Sequence, residues 1–131
     1  MGSIYSDANQ SVIVAPSGTI LTADGVSAVF NNPALSRGMV MVNVSAVSGT
    51  SPSLVVGIQA FNPVSGTWFT VTSGAAITAV GDYGFFTGPG STVQSGISNT
   101  IPLPYTWRLA YTLAGTTPSF TLGGIAMSLY R

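Results

Sequence analysis

Glycine and proline divide this chain into short runs of β-branched and aromatic residues, and this punctuation restricts the fold more than any other feature. The sequence holds 16 Gly and 8 Pro in 131 residues, and no apolar face with helical spacing continues for long. Runs of Val, Ile, Thr and aromatic residues between turn residues are typical of strands. About eight such runs predict an all-β protein, an antiparallel two-sheet β-sandwich of jelly-roll type with about eight strands.

Two segments alternate clearly between apolar and other residues, as half-buried strands do. Residues 39–47 place one set of side chains on a single face: Val40, Val42, Val44 and Ala46. Residues 106–113 do the same with Trp107, Leu109, Tyr111 and Leu113. We therefore expect these two segments to contribute strands that line the core.

Shorter signals predict how the strands are connected. Asp24-Gly25 favours a hairpin turn, because Asp and Gly tolerate positive φ. Residues 49–53 read as a loop and residues 114–119 as a polar turn, whereas residues 75–80 read as a short strand. Gly123-Gly124 interrupts the last strand and indicates a β-bulge.

The chain is predicted to be a single domain spanning residues 1–131. Residues 1–20 are polar, punctuated and weakly patterned, so an extended N-terminal arm is one interpretation of them. Residues 88–99 form the longest irregular segment and are predicted to be a loop. A linear repeat of the kind that builds a solenoid is not evident in the sequence.

The chain is almost without ionisable side chains. It has three Arg and three Asp, no His, no Cys, no Lys and no Glu, so only 5% of its residues are charged against about 25% in an average domain. Most proton transfer, covalent catalysis and metal binding uses the missing residue types. We therefore expect no enzymatic activity, no catalytic residue, no cofactor and no metal site.

The three Asp residues are interpreted as structural. Asp24 lies in the Asp-Gly segment and Asp82 follows Gly81, so their side chains are expected to bond nearby turn backbone. The third is Asp7. A two-carboxylate hydrolase would have to use two of these three groups, which makes that reading the weaker one.

The same shortage of charge limits the partners. Three Arg cannot form the basic stripe that nucleic-acid binding needs, and no segment approaches the ~20 apolar residues of a membrane helix. A protein with little charge repulsion tends to associate. The composition therefore predicts a surface that packs against other proteins, including copies of this chain.

Four residues are candidates for such an interface: Arg108, Phe85, Phe86 and Tyr105. Arg108 lies inside a strong strand, so it is expected either to lie on the outer face, stacked on an aromatic ring or paired with Asp24 or Asp82, or to form a salt bridge between subunits. Phe85 and Phe86 are adjacent, so a regular strand would point them to opposite faces, with one outside the core. An exposed aromatic ring such as Tyr105 can anchor a protein interface.

Four short segments occur in an order that is familiar: VSGTWFTV at residues 64–71, AAITA at 75–79, LPYTWRL at 103–109 and SFTLG at 119–123. Over about residues 40–131 the chain resembles a group of small β-rich virion proteins encoded by tailed bacteriophages. The resemblance implies a structural protein that decorates or cements the head shell and carries no catalytic residues. It implies binding to the major capsid protein or another virion protein, self-association, with a trimer as one form, and a location in the virion after assembly in the host cytoplasm.

Two other functions fit the sequence. The first is another particle component, such as a tail, collar or fibre-base protein. The second is a carbohydrate-binding β-sandwich module, in which Trp68, Tyr83 or Trp107 would stack on sugar rings.

Overall fold

The computed structural model describes residues 9–32, 37–88 and 103–130, and their regular structure consists of β-strands. The strands are β1 (Asn9–Ala15), β2 (Ile20–Leu21), β3 (Gly25–Val26), β4 (Phe30–Asn31), β5 (Arg37–Asn62), β6 (Thr67–Ser73), β7 (Gly81–Thr87) and β8 (Thr106–Tyr130). Every pairing among them is antiparallel. The prediction of an all-β, antiparallel protein with about eight strands is confirmed. In the described ranges, no helix has the length and apolarity needed to span a membrane.

Two long strands form the frame of the sheet. β5 has 26 residues and β8 has 25, and they pair from Arg37 opposite Tyr130 to Ala60 opposite Trp107. At one end of this ribbon, β1 pairs with β8 and β7 pairs with β5. At the other end, β3 and β4 pair with β8 and β6 pairs with β5. The described strands thus form one continuous sheet of eight strands.

The ribbon bends where the sequence predicts a loop and a turn. The β5–β8 register shifts between Ser48 and Ser53, yet Thr50 still pairs with Thr116 inside this region. Ser51 and Thr117 have positive φ values of 48° and 45°, and each precedes a proline. An irregularity of this kind bends a strand without ending it. Residues 49–53 and 114–119 are therefore bends inside two continuous strands, and the prediction that each separates two strands is wrong.

The two bends have nearly the same sequence, which the linear reading missed. GTSPSL at residues 49–54 matches GTTPSF at residues 115–120. Both copies begin with a glycine near φ +108°, place a non-glycine residue with positive φ at the third position and follow it with proline. Because the two strands are antiparallel, the copies face each other across the ribbon with approximate two-fold symmetry.

The inner faces of both ends of the ribbon share one hydrophobic core. Alternate residues of β5 before the bend and after it belong to the same cluster of buried side chains, as do those of β8: Val40, Val42, Val44, Leu54, Val56, Ile58, Trp107, Leu109, Tyr111, Phe120, Leu122, Ile125, Met127 and Leu129. The sheet must therefore curl so that its two ends face each other. The predicted faces of residues 39–47 and 106–113 are confirmed, except that Ala46 is exposed and Leu113 half-buried. Register shifts on both sides of Val44 rotate Ala46 off the inner face.

Gly123 and Gly124 form the predicted irregularity. Asn43 pairs with Gly124 and Val44 with Leu122, so Gly123 is the extra residue on β8. A Cβ at Gly123 would overlap the Asn43 side-chain oxygen. Any larger residue at position 123 would have to displace the Asn43 side chain, and with it the hydrogen bond from Asn43 to Asp82.

Three other local predictions are revised by the pairing. Asp24-Gly25 does not form a hairpin, because β2 and β3 each pair with a different part of β8. Residues 75–80 do not form a strand, and their backbone pairs with the described strands at one isolated bridge, from Ile77 to Leu54. Within the segment interpreted as an arm, Asn9–Ala15 pairs with β8 as an outer strand, so this part of it belongs to the sheet.

Candidate functional site

Arg108 lies on the outer face of the sheet, on β8, and two neighbours hold its side chain. Its Nε donates a hydrogen bond of 2.8 Å to Gln59 Oε1, and Gln59 is its direct partner on β5. The guanidinium carbon lies 4.3 Å from the centroid of the Trp68 ring. A cation over an indole ring contributes about 0.5–1 kcal/mol where it is exposed. The expectation that Arg108 stacks on an aromatic ring at the outer face is confirmed.

The hairpin of β5 and β6 supplies the rest of this surface. Phe61 and Trp68 pair across the two strands, and their ring centroids are 5.2 Å apart. Strict alternation places Gln59 and Phe61 on the same outer face, because the intervening Ala60 is buried. We call Gln59, Phe61, Trp68 and Arg108 the arginine–aromatic platform.

The platform borders an exposed hairpin tip. Val64 lies in the turn between β5 and β6 and is 94% exposed. The turn is ordered by its own hydrogen bonds: Asn62 Oδ1 accepts from the Val64 N–H at 3.0 Å, and the Asn62 carbonyl accepts from the Gly66 N–H at 2.8 Å. A large apolar side chain is therefore displayed on a well-supported turn.

The other three predicted interface residues do not gather around Arg108. Phe85 is buried in the core on β7, while Phe86, on the opposite side of that strand, is half-buried. This confirms that the two rings take different environments. β7 borders the end of the ribbon opposite to the platform, whereas Tyr105 immediately precedes β8 at the platform end and is 68% exposed. Their role in an interface stays a prediction.

An apolar groove of about 740 Å³ lies at the end of the ribbon where β7 pairs with β5 and β1 pairs with β8. Its walls include Ile13 on β1, Met39 and Met41 on β5, and Ala126 on β8. The alternation that buries Val40 and Val42 turns both Met side chains outward, as the sequence predicts for that face. The groove is also lined by a hydrogen-bonded polar pair, in which Asn43 Nδ2 donates to Asp82 Oδ1 at 2.6 Å.

The two described Asp side chains each bond a distant group. Asp24 Oδ1 accepts from the Leu113 N–H at 2.7 Å, and Asp82 accepts from Asn43. Neither bond is the local turn contact that the sequence suggests, because each Asp faces the neighbouring strand. In the described part of the chain, no three His, Cys, Asp or Glu side chains converge on a point that could hold a metal ion.

The rings considered for sugar stacking are already engaged. Trp107 is fully buried and stacks on Phe30 with ring centroids 4.8 Å apart, so Trp107 cannot meet a sugar. Tyr83 is half-buried, and its hydroxyl donates to the Ala79 carbonyl at 2.7 Å. Trp68 is half-buried beneath Arg108.

The sequence indicated Arg108 and Trp68 as separate candidates but did not predict that the two side chains are in contact. Their contact depends on the register of three strands, because β5 lies between β8 and β6. The groove was also missed. Its signal was present in the outward Met39 and Met41, which are large apolar residues on the face opposite to the core.

Comparison with known proteins does not assign this chain to a family. No protein-family model matches the chain, and no curated protein matches it. Among solved structures, the chain is similar to one described as the crystal structure of PirA, with a TM-score of 0.39 and 16% identity over 95% of this chain and 94% of that chain. A similarity of this level supports no argument about fold or function.

Proposed function

We propose that this protein is a structural component of a virus particle, a bacteriophage head-decoration protein that binds the major capsid protein and associates with copies of itself. It has no enzymatic role in this proposal. The resemblance of residues 40–131 to small virion proteins supports it, and so does the near absence of the residue types that catalysis uses.

The observation that carries the proposal is the character of the exposed surface. The described residues expose nine large apolar side chains: Ile13, Ile20, Val26, Val29, Phe61, Val64, Phe69, Val80 and Tyr105. Few charges are available to separate them, since the whole chain has six. Covering such a surface with another protein is favourable, because each Å² of apolar area that is buried lowers the free energy by roughly 25 cal/mol.

The apolar groove is the face that we assign to the head shell. Met39 and Met41 supply adaptable side chains, and flexible thioethers fit irregular partner surfaces. Ile13, at 67% exposure, widens the apolar area at the outer strand β1. A specific contact would cover about 800 Å² on each partner.

We further propose that the curled sheet is a two-layer β-sandwich of jelly-roll type. The support is the bend in β5 and β8, which sends both ends of one ribbon into a shared core. In such a fold, the ends before and after the bend belong to two facing layers about 10 Å apart.

The test of function is the copy number of this chain in purified particles, measured by quantitative mass spectrometry against the major capsid protein. A head-decoration protein follows the shell symmetry and is present in hundreds of copies, whereas about a dozen copies or fewer would indicate a tail, collar or fibre-base protein. Absence of the chain from the particle would overturn the proposal.

A second test addresses the groove. Met41→Asp places a charge on its wall, and we expect particle occupancy to fall at least about tenfold, the effect of 1.4 kcal/mol of lost binding. Thr112→Asp is the matched control, because Thr112 is exposed on β8 at the other end of the ribbon. Equal occupancy for the two variants would show that the groove does not bind the shell.

A further inference from the structure

Arg108 is a cation whose charge is not matched within the described part of the chain. Its contacts there are the hydrogen bond to Gln59 and the stack on Trp68, both of which are neutral. Asp24 and Asp82, the described carboxylates, bond Leu113 and Asn43 instead. The salt bridge that the sequence allowed between Arg108 and either of them is therefore not formed.

The contacts of Arg108 leave its hydrogen-bonding edge available. A guanidinium carries five N–H donors, and the bond to Gln59 uses the one on Nε. The four on the two terminal nitrogens make no hydrogen bond to any residue that the structure describes, and one from each nitrogen can form the two parallel bonds by which a guanidinium binds a carboxylate. Gln59 and Trp68 restrain the side chain before any partner arrives, which lowers the entropy lost on binding.

The surroundings of this fork are apolar. The Phe61 ring is 38% exposed beside Trp68, and the hairpin tip displays Val64. Arg and Trp are enriched among the residues that dominate interface energies, especially where apolar groups exclude water around them. The platform therefore suits a carboxylate that is accompanied by an apolar side chain.

We propose that the arginine–aromatic platform is a docking site for another protein, which presents an Asp or Glu side chain to Arg108 and an adjacent apolar side chain to Phe61. A second copy of this chain is a poorer occupant, because it has no Glu and two of its three Asp residues, Asp24 and Asp82, would have to give up their present bonds. This inference goes beyond the proposed function and does not depend on it, since a platform of this chemistry would bind the same group in any assembly.

The experiment is a titration of the full ¹⁵N-labelled chain, followed by NMR, with two capped peptides: acetyl-Leu-Asp-Leu-amide and its amide analogue acetyl-Leu-Asn-Leu-amide. We expect the Asp peptide to shift the Arg108 Nε–H and Trp68 indole N–H signals in a saturable way with a millimolar dissociation constant, about −4 kcal/mol of binding. The Asn peptide should bind at least about fivefold more weakly, because it lacks the charge that makes a bidentate pair with Arg strong.

Two variants and a control complete the test. Arg108→Gln should abolish saturable binding, and Arg108→Lys should weaken it at least about threefold, because Lys keeps the charge but loses the planar fork. Thr112→Ala is the control, because Thr112 lies four residues from Arg108 on the same strand and is exposed. The Thr112→Ala variant should bind the Asp peptide with the same affinity as the unchanged protein. The backbone spectrum of each variant reports whether it is folded, and Arg108→Lys keeps the test valid if Arg108→Gln does not fold.

Several outcomes would overturn the inference. These are equal binding of the two peptides, no saturable shift at millimolar concentrations, tighter binding of inorganic phosphate than of the Asp peptide, or a shift of the Trp68 signal by maltohexaose, which would make the platform a sugar site. A further one is self-association that disappears in Arg108→Gln by sedimentation velocity, which would assign the platform to a second copy. The copy number in particles bears on the proposed function alone, so the two proposals can fail separately.

Discussion

Gly49 and Gly115 lie on either side of the Thr50–Thr116 pair at the bend of the β5–β8 ribbon, and each lies directly against a carbonyl of the opposite strand. Their φ values are +109° and +108°. A Cβ on Gly49 would lie 2.6 Å from the Thr117 carbonyl oxygen, and a Cβ on Gly115 would lie 2.6 Å from that of Ser51. This reciprocal approach keeps the two strands together through the bend, so that both ends of the ribbon reach one core.

Alanine at either glycine should destabilise the protein strongly. The substitution combines an unfavourable positive φ with a backbone clash, so we expect Gly49→Ala and Gly115→Ala each to lower the free energy of unfolding by about 3 kcal/mol or more. Denaturant unfolding measures this quantity. Gly18→Ala is the matched control, because Gly18 has φ +92° but nothing within 4 Å of its would-be Cβ. Gly18→Ala should lower the free energy of unfolding by about 1 kcal/mol. An equal loss in all three variants would show that the close approach of Gly49 and Gly115 to the opposite carbonyls does not matter.

The two tryptophans should differ widely in their contribution to stability. Trp107 is fully buried against Phe30, so Trp107→Ala should lower the free energy of unfolding by about 3–5 kcal/mol. Trp68 is half-buried on the platform, so Trp68→Ala should cost less than about 1.5 kcal/mol, mainly the ring contacts with Phe61 and Arg108. Thermal or denaturant unfolding of the two variants checks this order. A greater loss for Trp68→Ala would show that the platform belongs to the core and is not an available surface.

Among the buried side-chain nitrogen and oxygen atoms that the structure describes, the Trp107 indole nitrogen is the one without a hydrogen-bond partner. A buried donor without a partner costs about 1–3 kcal/mol. Trp107→Phe removes that donor and keeps a ring in the core, so the relieved penalty offsets part of the cost of the smaller ring, and the free energy of unfolding should fall by less than about 2 kcal/mol. Denaturant unfolding measures this change, and a loss above about 3 kcal/mol would indicate that the indole N–H has a partner that Phe cannot replace.

Tyr111 should make the protein less stable at alkaline pH. Burial raises the pKa of the Tyr111 hydroxyl above its ordinary value of 10.0, because the core disfavours the phenolate. The folded-state pKa is then higher than the unfolded one, so the stability from neutral Tyr111 is complete below pH 10 and is lost as the pH rises through the folded-state pKa.

The comparison of the unchanged protein with Tyr111→Phe isolates this effect, since the other four Tyr residues are common to both. Denaturant unfolding at pH 8 and pH 11 should show a larger loss for the unchanged protein, by up to about 1.4 kcal/mol per pH unit above 10. The same loss in both proteins would mean that Tyr111 ionises equally easily in the folded and unfolded chain.

The side chain of Asp24 should act as a tertiary contact. Because Asp24 Oδ1 accepts a 2.7 Å hydrogen bond from the Leu113 N–H, we expect Asp24→Ala to lower the free energy of unfolding by about 1 kcal/mol. Asp24→Asn keeps a carbonyl oxygen at the same place and should lose less than half as much. Hydrogen exchange of the Leu113 amide gives a second measurement, and it should become faster only in Asp24→Ala. Unchanged exchange in that variant would contradict the bond.

Alternation and turn composition predicted the strand content and much of the core. The inward positions of residues 39–47 and 106–113 are almost all correct, because the period of two is a local property of an extended backbone. The Gly123-Gly124 bulge was also predicted, since two adjacent glycines in a strand have few other uses. The sequence also placed Arg108 and Trp68 of the platform within predicted strands.

The incorrect predictions involve the joining of segments. Gly, Ser, Thr and Pro at residues 49–53 and 114–119 have the composition of a loop, and composition alone does not distinguish a loop from a bend that keeps its pairing. The distinction depends on the partner strand, because Thr50 stays in register only where Thr116 faces it. The match between GTSPSL and GTTPSF was the available signal, and it becomes informative once the two copies are known to be opposite each other.

The order of residues alone determined that this chain makes strands, which face of its two clearest strands is mostly buried and that its surface has little charge, because these follow from local backbone preference and from composition. Only the tertiary structure decided that β5 and β8 run through their bends, that Asp24 bonds Leu113, and that Arg108 meets Trp68 across an intervening strand. Those relationships depend on strand register, which results from the packing of many residues distant in sequence and is not encoded in any one segment.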